Sequence, residues 1–124
     1  MINIGKSFTQ EMTVQHKDTA VVYGSGKLEV YATPAMVGFM ENTSMRCLDG
    51  LLEEGSDTVG VEINVKHLKA TLVGKTVSCT ATITEVDGRR IRFEVEARDE
   101  TGVIGTAVHD RFIVHVEKFL SKLS

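Results

Sequence analysis

The amino-acid sequence predicts an α+β fold, in which one long helix lies against a curved antiparallel sheet. Three observations predict it. A single segment, residues 34–52, carries apolar residues at helical spacing behind a Thr-Pro pair. Four later segments alternate apolar and polar residues, as half-buried strands do. Turn signals separate them, notably Asp87-Gly88 and Asp99-Glu100-Thr101-Gly102, and the first of these is a strong hairpin turn.

The elements follow in order. Residues 7–14 alternate, with Phe8, Met12 and Val14 on one side, and read as a first strand. Residues 15–27 read as a loop broken by Gly24, Ser25 and Gly26. Residues 28–31 form a short extended lead into the helix. The helix is expected over 34–52. Thr33 is a natural N-cap, because its hydroxyl can accept from a free backbone N–H of the first turn. Pro34 fits the first helical position, where its missing N–H costs nothing. Gly55 marks the exit.

Four strands are then expected as one antiparallel meander covered on one face. Strand 58–67 points Val59, Val61, Ile63 and Val65 inward. Strand 75–86 sets Val77, Cys79, Ala81 and Ile83 against a row of Thr and Ser. Strand 90–98 sets Ile91, Phe93, Val95 and Ala97 against charges. Strand 103–116 has His109, Arg111, Ile113 and His115 on one face, and Asp110, Phe112, Val114 and Val116 on the other. The second face is more apolar and is the expected core face, which leaves Arg111 and the two histidines toward solvent or a partner.

Composition narrows the function. The chain has 124 residues, 14 basic and 17 acidic, with a net charge of −3. The cations are scattered among acids, so no basic stripe suggests nucleic acid. Hydrophobic content of 42% and charged content of 25% are ordinary for a soluble globular protein, and the length suits one domain spanning residues 1–124. No apolar run approaches the roughly 20 residues of a membrane span. The opening MINIGKSFTQ has no continuous apolar stretch, so a cytoplasmic location and no membrane partner are expected. Cys47 and Cys79 show neither CxxC nor zinc spacing and read as buried reduced thiols.

Two polar residues interrupt apolar surfaces. At about 100° per residue, Asn42, Arg46, Asp49 and Glu53 share the wet face of the helix. Glu41 falls instead beside Val37, Met45, Leu48 and Leu52, toward the apolar arc and near its edge. An ionised carboxylate there costs several kcal/mol unless it is partnered or protonated. A Glu at such an edge is more often a boundary residue whose head reaches water. His67 ends the apolar row of strand 58–67, a place where a satisfied core histidine is commoner than a catalytic one. Two such residues on two core-facing surfaces change the balance: a Glu and a His that meet in an apolar site can orient one another or activate water. Thr33 and the free N–H groups at the helix N-terminus can bind a developing oxyanion. Gly38, inside the helix, suits close approach of a backbone or ligand, or a packing contact. No pair of histidines has HExxH spacing, so no metal is expected, and neither GxGxxG, a P-loop nor a GxSxG elbow occurs.

With these residues in hand, the sequence resembles a known family. The order of one strand, a helix and four strands resembles the hotdog fold, an antiparallel sheet wrapped around one long central helix. ATPAMVGFMEN, TVGVEINVKHLKATLVGKTV and GTAVHDRFIVHVEKF resemble the thioesterase family typified by fluoroacetyl-CoA thioesterase, over nearly the whole chain. The resemblance implies that Thr33, Glu41 and His67 are the catalytic residues. It implies that Gly60 lines the acyl site and that Arg111 lies near it. It also implies hydrolysis of an acyl-CoA in a site shared between two subunits of a homodimer or dimer of dimers. No cofactor is implied, since coenzyme A is part of the substrate. The sequence departs from the family in two places: the segment between His16 and Thr33 is shorter and lacks a Pro- and Phe-rich lid, and Pro34 stands where the family usually has Gly. A short- or medium-chain acyl-CoA is therefore the expected substrate class.

Two other functions compete. A hotdog dehydratase or hydratase also sets a carboxylate and a His on acyl thioesters, and would form an enoyl- or hydroxyacyl-CoA without releasing CoA. A non-catalytic acyl-CoA binding module would bind without turnover, and has no need of all three of Thr33, Glu41 and His67.

Overall fold

A computed structural model describes residues 1–124. Strand β1 (Ser7–Thr13) is followed by a 3₁₀ turn at His16–Asp18 and a four-residue helix α1 (Ala20–Tyr23). The long helix α2 (Thr33–Cys47) comes next. Strands β2 (Ser56–His67), β3 (Thr76–Asp87), β4 (Arg90–Asp99) and β5 (Gly102–His115) follow, and α3 (Val116–Ser121) ends the chain. The five strands form one antiparallel sheet in the order β1-β3-β4-β5-β2. Only β3, β4 and β5 form a meander. The expected four-strand meander is corrected here, because β2 pairs with β5 and lies at the edge of the sheet.

The sheet curls around one face of α2. Met36, Met40, Cys47 and Leu48 of the helix segment pack against Val77, Cys79, Ala81, Ile83, Ile91, Phe93, Val95 and Ala97. The inward rows read from the alternation of β3 and β4 are all buried. Burying each of the larger side chains, Val, Leu, Ile, Phe or Met, is worth about 1.5–3 kcal/mol, and together they fix the helix to the sheet. Both cysteines are buried and free. Thr43 and Ser44 also face the core, and each hydroxyl donates to the carbonyl four residues back, that of Phe39 or Met40, so neither is buried unpaired.

Four expectations about local structure change. The segment 15–27 is not an open loop, since Thr19 caps α1, its hydroxyl accepting from the Val22 N–H. Helix α2 ends at Cys47, with Leu48 as its last cap residue, because Asp49-Gly50 is a nearer stop signal than Gly55. Thr33 is the first helical residue and makes no cap bond; Ala32 is the N-cap. Gly38 faces open space, with nothing within 4 Å of an added Cβ, so no contact within the chain explains it.

The edge strand carries a bulge. Its register with β5 shifts between Gly60 and Glu62. Before the bulge, Thr58 is buried and Gly60 points at the helix; after it, Ile63 and Val65 pack on the core. The extra residue switches which parity faces in, so Val61 is 52% exposed instead of inward. On β5 the expected faces are reversed: Ala107, His109 and Arg111 are buried toward the helix, while Phe112 is 39% exposed. The more apolar row lost because Thr58 and the Glu62 carbonyl satisfy the polar one. His115 remains exposed, whereas Ile113 is half-buried against the core. Asp110 is buried on the outer face beneath Arg92 and Arg90.

Gly105, opposite His67 on β5, admits the end of Met36. A Cβ there would lie 2.6 Å from Met36 Cε and 3.1 Å from the Lys66 carbonyl oxygen. Gly105→Ala should therefore destabilise the fold by about 1–3 kcal/mol through overpacking. Urea denaturation should show the loss shrinking when Met36→Val makes room.

Candidate active site

The polar residues occupy two stations on opposite ends of the β2–α2 seam. The first lies at the N-terminus of α2. Thr33 Oγ1 and His67 Nδ1 are 2.7 Å apart. His67 Nε2 is buried and has no partner. The ring meets the edge of Tyr31, with centroids 6.4 Å apart. Burial lowers the pKa of His67, partly offset by the backbone at Lys69, so the ring is neutral around neutral pH and its free Nε2 is available for proton transfer. The amides of Thr33 and Ala35 donate to no group in the chain, and Pro34 between them has no N–H. Two free donors and the positive end of the helix dipole therefore flank the Thr33 hydroxyl. A cleft of about 310 Å³ opens here, with Val30, Tyr31, Leu68 and Ala70 among its walls.

The loop behind His67 is tied down from below. Asp99, with its side chain only 5% exposed, accepts from the Thr101 N–H and hydroxyl at 2.8 and 2.6 Å. Its other oxygen accepts from Thr71 Oγ1 at 3.0 Å and Lys69 Nζ at 3.2 Å. The Thr71 carbonyl in turn accepts from the Tyr31 N–H, and the Ile104 carbonyl accepts from Leu68 and Lys69. One carboxylate thus holds the chain after His67 and the chain before Thr33. The Thr101 hydroxyl contributes most to keeping its pKa well below the usual carboxylate range.

The second station surrounds Gly60. A Cβ on Gly60 would lie 3.0 Å from Glu41 Oε2, 3.2 Å from His109 Cε1 and 3.3 Å from Arg111 Nη1. Arg111 donates from Nε to Thr58 Oγ1 at 2.9 Å, from Nη2 to the Thr58 carbonyl at 3.0 Å, and from Nη1 to His109 Nε2 at 3.2 Å. Burial lowers the Arg111 pKa, while Glu41 and Asp57 favour its charge; an arginine stays protonated regardless. Glu41 is half-buried and makes no ion pair of its own, so its carboxylate is left facing the gap at Gly60.

The sequence-predicted residues therefore divide. Thr33 meets His67, and Glu41 meets Gly60 and Arg111. The expected meeting of Glu41 with His67 does not occur within one chain: Glu41 lies eight residues along the helix from Thr33, about 12 Å at 1.5 Å per residue. His109 was missed because its row had been read as the solvent face; its two-residue spacing from Arg111 on one strand was the available signal. A larger hollow of about 700 Å³ lies on the outer face of the sheet among Thr80, Thr82, Thr84, Glu94 and Lys66. It lies on the other side of the sheet from α2, away from Thr33 and Glu41.

Known proteins share this fold. A thioesterase superfamily member from Thermus thermophilus superposes with a TM-score of 0.90 at 27% identity, over 99% of this chain and 91% of that one. The class is thus the hotdog-fold thioesterases. The family model for fluoroacetyl-CoA-specific thioesterase, FlK, matches residues 14–117. The fluoroacetyl-CoA thioesterase of Streptantibioticus cattleyicolor is 37% identical over 128 aligned positions, taking in 98% of this chain and 92% of that protein. The structure of FlK superposes with a TM-score of 0.92 at 36% identity, over 99% and 96% of the two chains, and a mutant of FlK has been solved with fluoroacetate and CoA. The chain belongs to the FlK family of fluoroacetyl-CoA-specific thioesterases.

Asp99→Ala should destabilise the protein by about 1–3 kcal/mol, the cost of leaving the buried Thr71 hydroxyl without its acceptor. The folded pKa lies below the unfolded value of about 3.9, so the stabilisation is fully present above that value and is lost only as pH falls toward the folded one. Urea titrations of wild type and variant should differ equally from neutral pH down to about pH 4, and converge below it.

Proposed function

We propose that this protein hydrolyses a short- or medium-chain acyl-CoA to the free acid and CoA, with Thr33, Glu41 and His67 in one site completed by a second copy of the chain. The observation that carries the reading is the Thr33–His67 contact of 2.7 Å at an uncapped helix N-terminus, with an unpartnered Nε2 above an apolar cleft. The thioester carbonyl would take its hydrogen bonds from the Thr33 and Ala35 amides and the Thr33 hydroxyl, which strengthen as negative charge grows on the oxygen. Glu41 either takes a proton from the attacking water or attacks the carbonyl carbon itself, giving an anhydride that water then opens. His67, neutral at rest, either orients the reacting group or takes up the proton that the attacking water releases and passes it to the departing CoA thiolate. The cleft is at the small end for a ligand pocket, and its apolar walls at Val30, Leu68 and Ala70 suit a short hydrocarbon.

The second copy follows from distance and from an open edge. Glu41 cannot reach Thr33 in its own chain, and β2 is a twelve-residue edge strand, which needs a partner or a cover. Antiparallel pairing of β2 with its copy about Asn64, with the bulge taking up one position, sets His67 opposite Gly60 of the copy. That brings each Thr33–His67 pair to the other chain's Glu41. The helix stripe of Val37, Gly38, Glu41 and Met45, none of it fully buried in one chain, would then face the copy, which gives Gly38 a reason to lack a side chain.

Glu41→Gln should lower kcat by about 10²–10⁴-fold in a thiol-release assay. Retention of most activity would sink the assignment, and conversion to enoyl-CoA without thiol release would point to a hydratase. Mixed refolding of Glu41→Gln with His67→Ala should restore about a quarter of wild-type activity, since half the dimers carry one intact shared site. A mixture as inactive as its parents would refute sharing. In ¹⁸O-water under single turnover, label in the Glu41 carboxyl marks the anhydride route and refutes direct attack by water.

A further inference from the structure

His109 is 1% exposed and has no place in the mechanism above, yet its two nitrogens are fully committed. Nδ1 lies 2.7 Å from the Glu62 carbonyl oxygen. A carbonyl only accepts, so Nδ1 carries the proton. Nε2 lies 3.2 Å from Arg111 Nη1. A guanidinium only donates, so Nε2 is the acceptor. The two contacts together admit only the neutral ring protonated at Nδ1. The carbonyl that fixes it belongs to Glu62, the residue at the β2 bulge, so the same irregularity that opens the Gly60 gap also sets this tautomer.

We propose that His109 is a positioning residue: as a neutral acceptor it holds Arg111 Nη1 beside the Gly60 gap, where Glu41 acts, and its protonation releases that arm. The proposal rests on the reading of Glu41 as the acting carboxylate. A protonated His109 would turn a donor toward a donor and put two cations 3.2 Å apart, so the Arg111–His109 bond cannot survive it. The groups around the ring pull in both directions. Burial, the largest effect, and Arg111 lower the His109 pKa, while the Glu62 carbonyl, Glu41 on α2 and Asp110 on β5 raise it. The neighbour on β4 is the uncharged Phe93, 6.4 Å away. Arg111 keeps its two bonds to Thr58 in either state, so only Nη1, the nitrogen nearest Gly60, is freed. A merely structural His would have no such effect on one nitrogen of the site.

The test uses the whole protein. Nitrogen-15 spectra of histidine-labelled enzyme should show His109 with a protonated Nδ1 and a bare Nε2, titrating below the ordinary value of about 6.5. Arg111→Leu should move its titration upward. A ring protonated at Nε2, or a titration that Arg111→Leu leaves unmoved, overturns the proposal. In thiol release, His109→Leu should lower kcat/KM by about a hundredfold, the cost of a misplaced site group. His109→Gln, whose amide oxygen can accept from Arg111, should recover most of it. In an Arg111→Leu background, His109→Leu should cost little more; additive losses overturn the proposal. If His109→Leu does not fold, the Gln variant and the spectra decide. The spectra read the His109–Arg111 link without turnover, so an active Glu41→Gln would refute the catalytic reading while leaving this link separately measured.

Discussion

One extra residue in β2 governs the site. Residues 60 and 67 are seven apart, so a regular strand would send their side chains to opposite faces of the sheet. The bulge between Gly60 and Glu62 lets both the Gly60 gap and His67 face the helix. It also turns the Glu62 carbonyl onto His109 and aligns Thr58 under Arg111. Removing the bulge would place either the Glu41 station or the Thr33 station on the outer face. The expelled Val61, half in solvent, is the visible cost of this switch. It is a small one, since the core on β3 and β4 is complete without it.

The two stations answer different physical problems. At Thr33 the helix end supplies fixed donors, and burial favours the neutral form of His67, which suits the role proposed for it. At Gly60 a buried guanidinium must be satisfied at every reachable N–H, because an unpaired buried charge costs several kcal/mol. Thr58 and His109 do this, which leaves the Glu41 carboxylate outside the network and free to act. Had Glu41 formed a bidentate pair with Arg111, the acid would be fully paired and poor as a base or nucleophile. Rigidity is supplied elsewhere, by Asp99 under the His67 loop and by the Met36–Gly105 contact behind it.

Much of this was legible in the sequence, and the failures have physical causes. β3 and β4 alternate cleanly because both lie inside the sheet with one face on the core, so periodicity alone read their buried rows correctly. β5 was read backward because apolar count was taken as the sign of the core, while its inner row carries His109 and Arg111. Polar residues with complete partners can be buried, but their partners, Thr58 and the Glu62 carbonyl, come from a strand some fifty residues earlier. Val59 and Val61 were misplaced because a bulge leaves no mark in alternation. Thr33 has the chemistry of an N-cap, and only the tertiary position of His67 turns its hydroxyl away from the backbone. The pairing of Glu41 with His67 drawn from two core-facing rows fails within one chain for a reason of scale: two turns of helix separate the residues each contacts.

That separation is also what gives a shared site its logic. Within one chain, the carboxylate and the imidazole are held by different walls of the same seam, each by contacts that need no substrate. In the proposed dimer, folding would fix each half in advance and association would supply only their juxtaposition, so the entropy of orienting the groups would be lost at assembly and not at each turnover. The same arrangement would keep the proposed base away from the donors at the start of α2 until a second copy is present. An isolated chain would carry a pre-formed carbonyl site with no base and a base with no carbonyl, and activity would be tied to the edge of β2.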